Sequence, residues 1–300
     1  GGTVRETRQY NKDNTVKRID NITADGTATY QYTYDGAGRV ATKTDPYGTT
    51  SYNYDAAGRL LKVTMPGAVT DYTYDGAGNR ICMTQTSTSA KTYHDTQTNE
   101  DIAYNSAVTN YTYNSANELA NTDKALYNES VVRLVENTTY SYDPNGNLYS
   151  SVVSTMRTGT AEAALELGTA DNGLVTMTQN EYDVWNQLVK TSVTKEGQTS
   201  EMAYTYNGDG IRTSRTVTAG DTVKTAGYVT SGGMVLAQTG DETAAYVRGL
   251  GYVAKIGVSN DVHYYQYNGH GDVVQVASGT SGVVENRYDY DAFGEANLTV

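Results

Sequence analysis

The sequence predicts an all-β protein built from consecutive antiparallel β-hairpins that join into one long coiled sheet. Three observations carry that expectation. Tyr occurs 28 times, against one Phe and one Trp. A short motif recurs along the chain: Tyr, then Asp or Asn, then two further residues, then Gly or Asn. The residues flanking each copy read as short strands rich in Tyr, Thr and Val, the types that fit a pleated, half-buried surface.

The tyrosines come first. A core that buries Tyr must find a partner for every hydroxyl. So strong a skew therefore predicts many half-buried rings, each packed on a neighbour with its hydroxyl turned to water. Proline is scarce at three residues, which argues against a disordered Pro-rich tract, and glycine is abundant at 30.

The motif begins at Tyr10, Tyr34, Tyr54, Tyr74, Tyr113, Tyr142, Tyr182, Tyr206, Tyr267 and Tyr290. The regular copies are Tyr34-Asp35-Gly36-Ala37-Gly38, Tyr54-Asp55-Ala56-Ala57-Gly58 and Tyr74-Asp75-Gly76-Ala77-Gly78, spaced by 20 residues. Later spacings run from 23 to 61, so insertions or eroded copies interrupt the array. Asp or Asn at the first position of a type I turn accepts hydrogen bonds from turn N–H groups, and the fourth position favours a residue that tolerates positive φ. That fourth residue is Gly38, Gly58, Gly78, Gly146, Gly210, Gly271 or Gly294, and otherwise Asn14, Asn117 or Asn186. A type I turn followed by a left-handed residue closes a β-hairpin. The expected structural site residues are accordingly the turn sets Tyr34, Asp35 and Gly38; Tyr54, Asp55 and Gly58; Tyr74, Asp75 and Gly78; Tyr142, Asp143 and Gly146; and Tyr290, Asp291 and Gly294.

Strands are expected on both sides of each turn. Eight copies carry a second Tyr two residues earlier, as in Tyr32/Tyr34, Tyr72/Tyr74 and Tyr204/Tyr206. Residues two apart share a strand face, which predicts a tyrosine ladder across neighbouring strands. A lone hairpin is marginal in water, whereas ten in series can pair edge to edge. Residues 1–300 read as a single, incomplete repeat region. Within it, 1–220 is the array, with an insertion near 150–180 in which Thr160–Leu167 has helix-forming composition, and 221–300 forms a distinct C-terminal part.

Function classes narrow quickly. A net charge of −12 without a basic cluster is unsuited to nucleic acid. No apolar run of about 18 residues is present to span a membrane as a helix. The start, Gly-Gly-Thr-Val-Arg, has no signal-peptide character, so an export signal is expected elsewhere in a longer protein. Cys82 is alone, which excludes an intrachain disulfide. Motif aspartates fall one per turn, without the ligand spacing of a calcium loop, so no metal or other cofactor is expected. His94, His263 and His270 have no evident nucleophile and orienting acid nearby. Ser192-Val193-Thr194-Lys195 lies in a Thr/Val-rich stretch instead of opening a helix, and Gly249-Leu250-Gly251 lacks its third glycine and a surrounding βαβ unit. No catalytic residue is assigned, and the chain is not expected to be an enzyme.

The Tyr-Asp-x-x-Gly-Arg-Leu units resemble the YD repeats of the Rhs family, which includes bacterial Rhs and wall-associated proteins, toxin-complex C subunits and teneurins. Three ordered C-terminal blocks add to the likeness: Tyr246-Val247-Arg248-Gly249-Leu250-Gly251-Tyr252, the stretch Tyr264–Val274 and Tyr288-Asp289-Tyr290-Asp291-Ala292-Phe293-Gly294-Glu295. By this resemblance, 221–300 is similar to the start of the Rhs core. The family implies a hollow β-shell wound from repeat strands, secreted or at the cell surface. It also implies a partner, a C-terminal toxin or other cargo polypeptide held inside. Self-cleavage and toxin activity are not carried over to these residues. The alternative is a surface adhesion module binding protein or carbohydrate, with exposed tyrosine faces stacking on glycans.

Overall fold

A computed structural model describes residues 4–95, 100–157, 174–249 and 251–297. The expected helix at 160–167 and much of the insertion near 150–180 lie outside the described residues. What is described is almost entirely strand, apart from a short 3-10 turn at Val258–Asn260. Among the described residues no helix is long and apolar enough to cross a membrane. The chain groups into two compact units, residues 54–225 and residues 1–53 together with 226–300.

In the first of these, each strand pairs antiparallel with its neighbours in sequence. Leu60–Met65 pairs with Ala68–Tyr74, which pairs with Arg80–Asp95, and the pattern continues through Glu100–Tyr113 to Gln198–Tyr206 and Arg212–Ala219. The 20-residue repeat gives strands of six or seven residues. Where the spacing widens after Tyr74, the strands lengthen to 16 and 14 residues. The extra chain enters at the end of the hairpin remote from the motif turn. Ile102, Ala107, Leu126 and Leu134 form a small buried cluster in this lengthened region.

The second unit carries five hairpin strands from its N-terminal part, including Val16–Thr23 and Gly26–Tyr34, and the strands from 226 onward. Its core joins the two stretches: Ile19, Tyr30 and Tyr32 pack with Val274, flanked by Val40 and Tyr290. Polar bonds tie the same stretches together. The Asn21 side chain donates to the Tyr267 carbonyl at 3.1 Å, and Gln266 donates to the Arg5 carbonyl at 3.1 Å. The Gly269 N–H donates to the Tyr32 hydroxyl at 2.7 Å, and Val284 N–H to Asp25 at 2.9 Å.

The 61-residue spacing between the copies at Tyr206 and Tyr267 is not a loop. It holds strands at Thr222–Ser231, Met234–Gly240, Ala244–Arg248 and Tyr252–Gly257, paired as hairpins, the first with Gly232 and Gly233 at its turn and the second with Gly249 N–H bonded to the Gly251 carbonyl. Two eroded repeats therefore start at Tyr228 and Tyr246.

Candidate functional site

The repeat turns are the one constellation that recurs, and their local chemistry is uniform. At the first regular copy, Asp35 Oδ1 accepts from the backbone N–H of Ala37 at 2.9 Å and of Arg39 at 3.0 Å, while Gly38 N–H returns to the Asp35 carbonyl at 3.0 Å. Arg39 Nε donates to the second carboxylate oxygen at 2.7 Å. Asp55 holds the Arg59 N–H and guanidinium in the same way, and Asp75 and Asp143 use Asn79 and Asn147. Asp291 accepts from Phe293 and Glu295 N–H groups. These bonds favour the ionised form. The Arg39 N–H holds the Asp35 carboxyl below its ordinary range. The side chains of Arg59, Asn79 and Asn147 do the same at Asp55, Asp75 and Asp143. The fourth turn residue stands at positive φ in all ten copies, from +60° at Asn186 to +99° at Gly271.

The motif tyrosines correct the expectation that their hydroxyls face water. Eight of them donate to a backbone carbonyl of the hairpin before, always the residue six after the preceding repeat's tyrosine. Tyr34 reaches Val16 at 2.7 Å, Tyr74 reaches Leu60 at 2.8 Å and Tyr113 reaches Arg80 at 3.0 Å. Tyr142, Tyr182, Tyr206 and Tyr290 bond Leu119, Leu148, Leu188 and Val273. Tyr267 bonds the Tyr252 carbonyl, which belongs to the eroded copy at Tyr246. The cause lies in the register. Pairing between Leu60–Met65 and Ala68–Tyr74 stops at Lys62 opposite Asp71, two residues short of Leu60. Near each tip the successive hairpins part, and a carbonyl would be left without its ladder donor. The tyrosine hydroxyl supplies one. Burial pushes the phenols of Tyr34, Tyr74, Tyr113, Tyr142, Tyr182, Tyr267 and Tyr290 upward. The second tyrosine can be buried, as Tyr32 and Tyr72 are.

Further contacts link one tip to the next. Arg59 donates to the Asp75 carbonyl at 3.2 Å, the Asn79 and Asn117 amides bond each other, and Asn145 and Asn147 both reach Asn186. Guanidinium groups enter the tyrosine ladder: Arg80 lies 4.6 Å from the Tyr111 ring centroid and 5.8 Å from that of Tyr72.

The other candidates are dispersed. His263 Nδ1 meets Glu285 at 2.6 Å and Nε2 meets Asp261 at 2.9 Å, and the Glu285 bond raises its pKa. His270 is an exposed turn residue beside Asp272, and the His94 side chain lies outside the described residues. Ser192 and Lys195 sit on the strand Leu188–Lys195, with Ser192 Oγ 3.4 Å from Glu201. Among the described residues, no three His, Cys, Asp or Glu side chains converge as a metal site would require. Sequence reasoning missed the tyrosine-to-carbonyl bond and the two eroded copies. The Tyr spacing at 228 and 246, each four to five residues before a glycine, was the available signal for the latter.

Residues 34–70 and 54–92 match the family model described as RHS Repeat. No curated protein matches the chain in sequence. Among solved structures, the chain aligns with TcdB2-TccC3-Cdc42 at 13% identity and TM-score 0.35, covering 96% of this chain and 20% of that one. TcdB2-TccC3 without its hypervariable C-terminal region gives 14% identity and TM-score 0.29, again over 96% and 20%. A porin-like protein from Bacteroides vulgatus ATCC 8482 aligns at 14% identity and TM-score 0.38, over 69% of this chain and 92% of that one. The chain thus spans about one fifth of the TcdB2-TccC3 chains.

Proposed function

We propose that this chain, which is an Rhs/YD-repeat protein, serves as a wall segment of a larger secreted or surface-exposed shell enclosing a toxin or other cargo polypeptide of the same parent protein, and is not itself an enzyme. The observation that supports this most is the repeated bond from eight of the ten motif tyrosines to the hairpin before. A wall must be extendable hairpin by hairpin without leaving polar backbone groups bare, and these eight copies carry that fastening within their own sequence. The same bond occupies hydroxyls that a bound sugar would otherwise have met.

The test is protease protection in the full parent product. Trypsin is added to the native protein and to protein unfolded in urea, and fragments are followed by mass spectrometry. Polypeptide following the repeats should persist in the native sample long after it has disappeared from the unfolded one. Equal rates of loss would remove the enclosing role.

A further inference from the structure

One turn departs from the regular copies at Asp35, Asp55 and Asp75 in three ways that meet in a single groove. In the copies at Asp35, Asp55, Asp75 and Asp143, the side chain four residues on occupies the second carboxylate oxygen. At Asp183 the residue four on is Gln187. Its amide lies instead against the next hairpin tip, 3.1 Å from where a Cβ on Gly210 would stand. Asp183 Oδ1 still caps the turn through the N–H groups of Trp185 and Gln187, but Oδ2 has no partner among the described residues. The next tip adds a second carboxylate, Asp209, whose side chain likewise has no partner among them. Third, the position filled by Ala37, Ala57 and Ala77 in the regular copies is taken by Trp185, the only tryptophan in the chain and 76% exposed.

These groups line a groove of about 550 Å³ between the tips at 183–187 and 207–210, floored by Tyr204 and Tyr206. The nearby cation Arg212 does not line it, being stacked on the Tyr204 ring at 4.2 Å. We infer that this groove binds a lysine or arginine side chain presented by a polypeptide. An exposed indole face attracts an ammonium or guanidinium group, and the two unneutralised carboxylates supply the opposite charge at its edge. A neutral sugar could stack on the same indole, but it would leave both charges unmatched. The inference does not depend on the enclosing role.

Trp185 reports its own occupancy. An acetylated, amidated tetra-arginine peptide is titrated into the 300-residue chain while tryptophan emission is followed, with neutral maltotetraose as the comparison. The peptide should change the emission saturably, and maltotetraose should not. Asp209→Asn should raise the apparent Kd roughly fivefold, as loss of one surface ion pair allows. Asp221→Asn makes the same charge change at the opposite end of the Arg212–Ala219 strand and should leave the Kd unchanged. Both residues are exposed, and far-UV circular dichroism checks that the variants fold. Absence of a peptide response overturns the inference. Equal weakening by the two Asp variants overturns it too, as diffuse attraction to an acidic chain, and a response to maltotetraose alone reassigns the groove to sugar.

Discussion

At Tyr74 the ring and the hydroxyl act on different neighbours. The Arg59 guanidinium lies 4.9 Å from the ring centroid, while the hydroxyl donates to the Leu60 carbonyl at 2.8 Å. Tyr74→Phe keeps the ring and leaves that carbonyl without its donor, so it should destabilise the chain by about 1–2 kcal/mol in urea unfolding at pH 7. The penalty should also depend on pH. Burial raises the Tyr74 pKa in the folded state. Its stabilisation is therefore complete below the unfolded phenol pKa of about 10 and is lost as pH rises through the folded value. A tyrosinate cannot donate, so the wild-type and Phe curves should converge in alkali. A constant gap across that range would count against the hydroxyl as the stabilising group. Composition made the tyrosines conspicuous, but not the direction of their hydroxyls. That direction follows from where the strand ladder stops, and the sequence does not display the register between neighbouring hairpins.

Hairpins themselves were the most legible elements. Asp, two free positions and Gly is a turn with a mechanism, and the flanking Tyr, Thr and Val runs supply its strands. Register shifts fall at the motif tyrosines, as between Thr33 and Tyr34 and between Thr73 and Tyr74, where one extra residue enters the returning strand. Less legible were the eroded hairpins at Tyr228 and Tyr246, because neither keeps an Asp or Asn to cap the turn. Gly58 tests the element directly. It stands at φ +85°, a conformation a β-branched side chain resists. Gly58→Val should therefore lower stability by about 1–3 kcal/mol. Gly58→Asn should be much milder, since Asn14, Asn117 and Asn186 adopt the same left-handed conformation at this turn position. Denaturation midpoints of the two variants decide it: an unchanged Val midpoint, or an Asn variant as damaged as Val, would sink the turn assignment.

At the scale of the whole chain, the least predictable feature is that residues 1–53 belong with residues 226–300. Repeats suggest contacts between sequence neighbours. Nothing in the periodicity of the motif places Ile19 against Val274, or Asn21 against the carbonyl of Tyr267. The association rests on apolar contact plus hydrogen bonds from backbone N–H groups. Tyr267 N–H donates to Glu6 at 3.2 Å, Val284 N–H to Asp25 at 2.9 Å, and Ala24 N–H to the Gly282 carbonyl at 2.8 Å. Deleting residues 1–25 takes away the acceptors for Tyr267 and Val284 and uncovers the face holding Val274. Hydrogen exchange of the Tyr267 and Val284 amides should then accelerate by at least about tenfold, the factor that corresponds to roughly 1.4 kcal/mol of lost protection. Should the truncated chain fail to fold, Asp25→Ala in the intact chain isolates one bond: Val284 should exchange faster while Tyr267, whose acceptor is Glu6, keeps its rate. Unchanged exchange at Val284 in that variant would mean that Asp25 does not hold the C-terminal strand, and the joining of the two stretches would have to rest on the Ile19, Tyr32 and Val274 core alone.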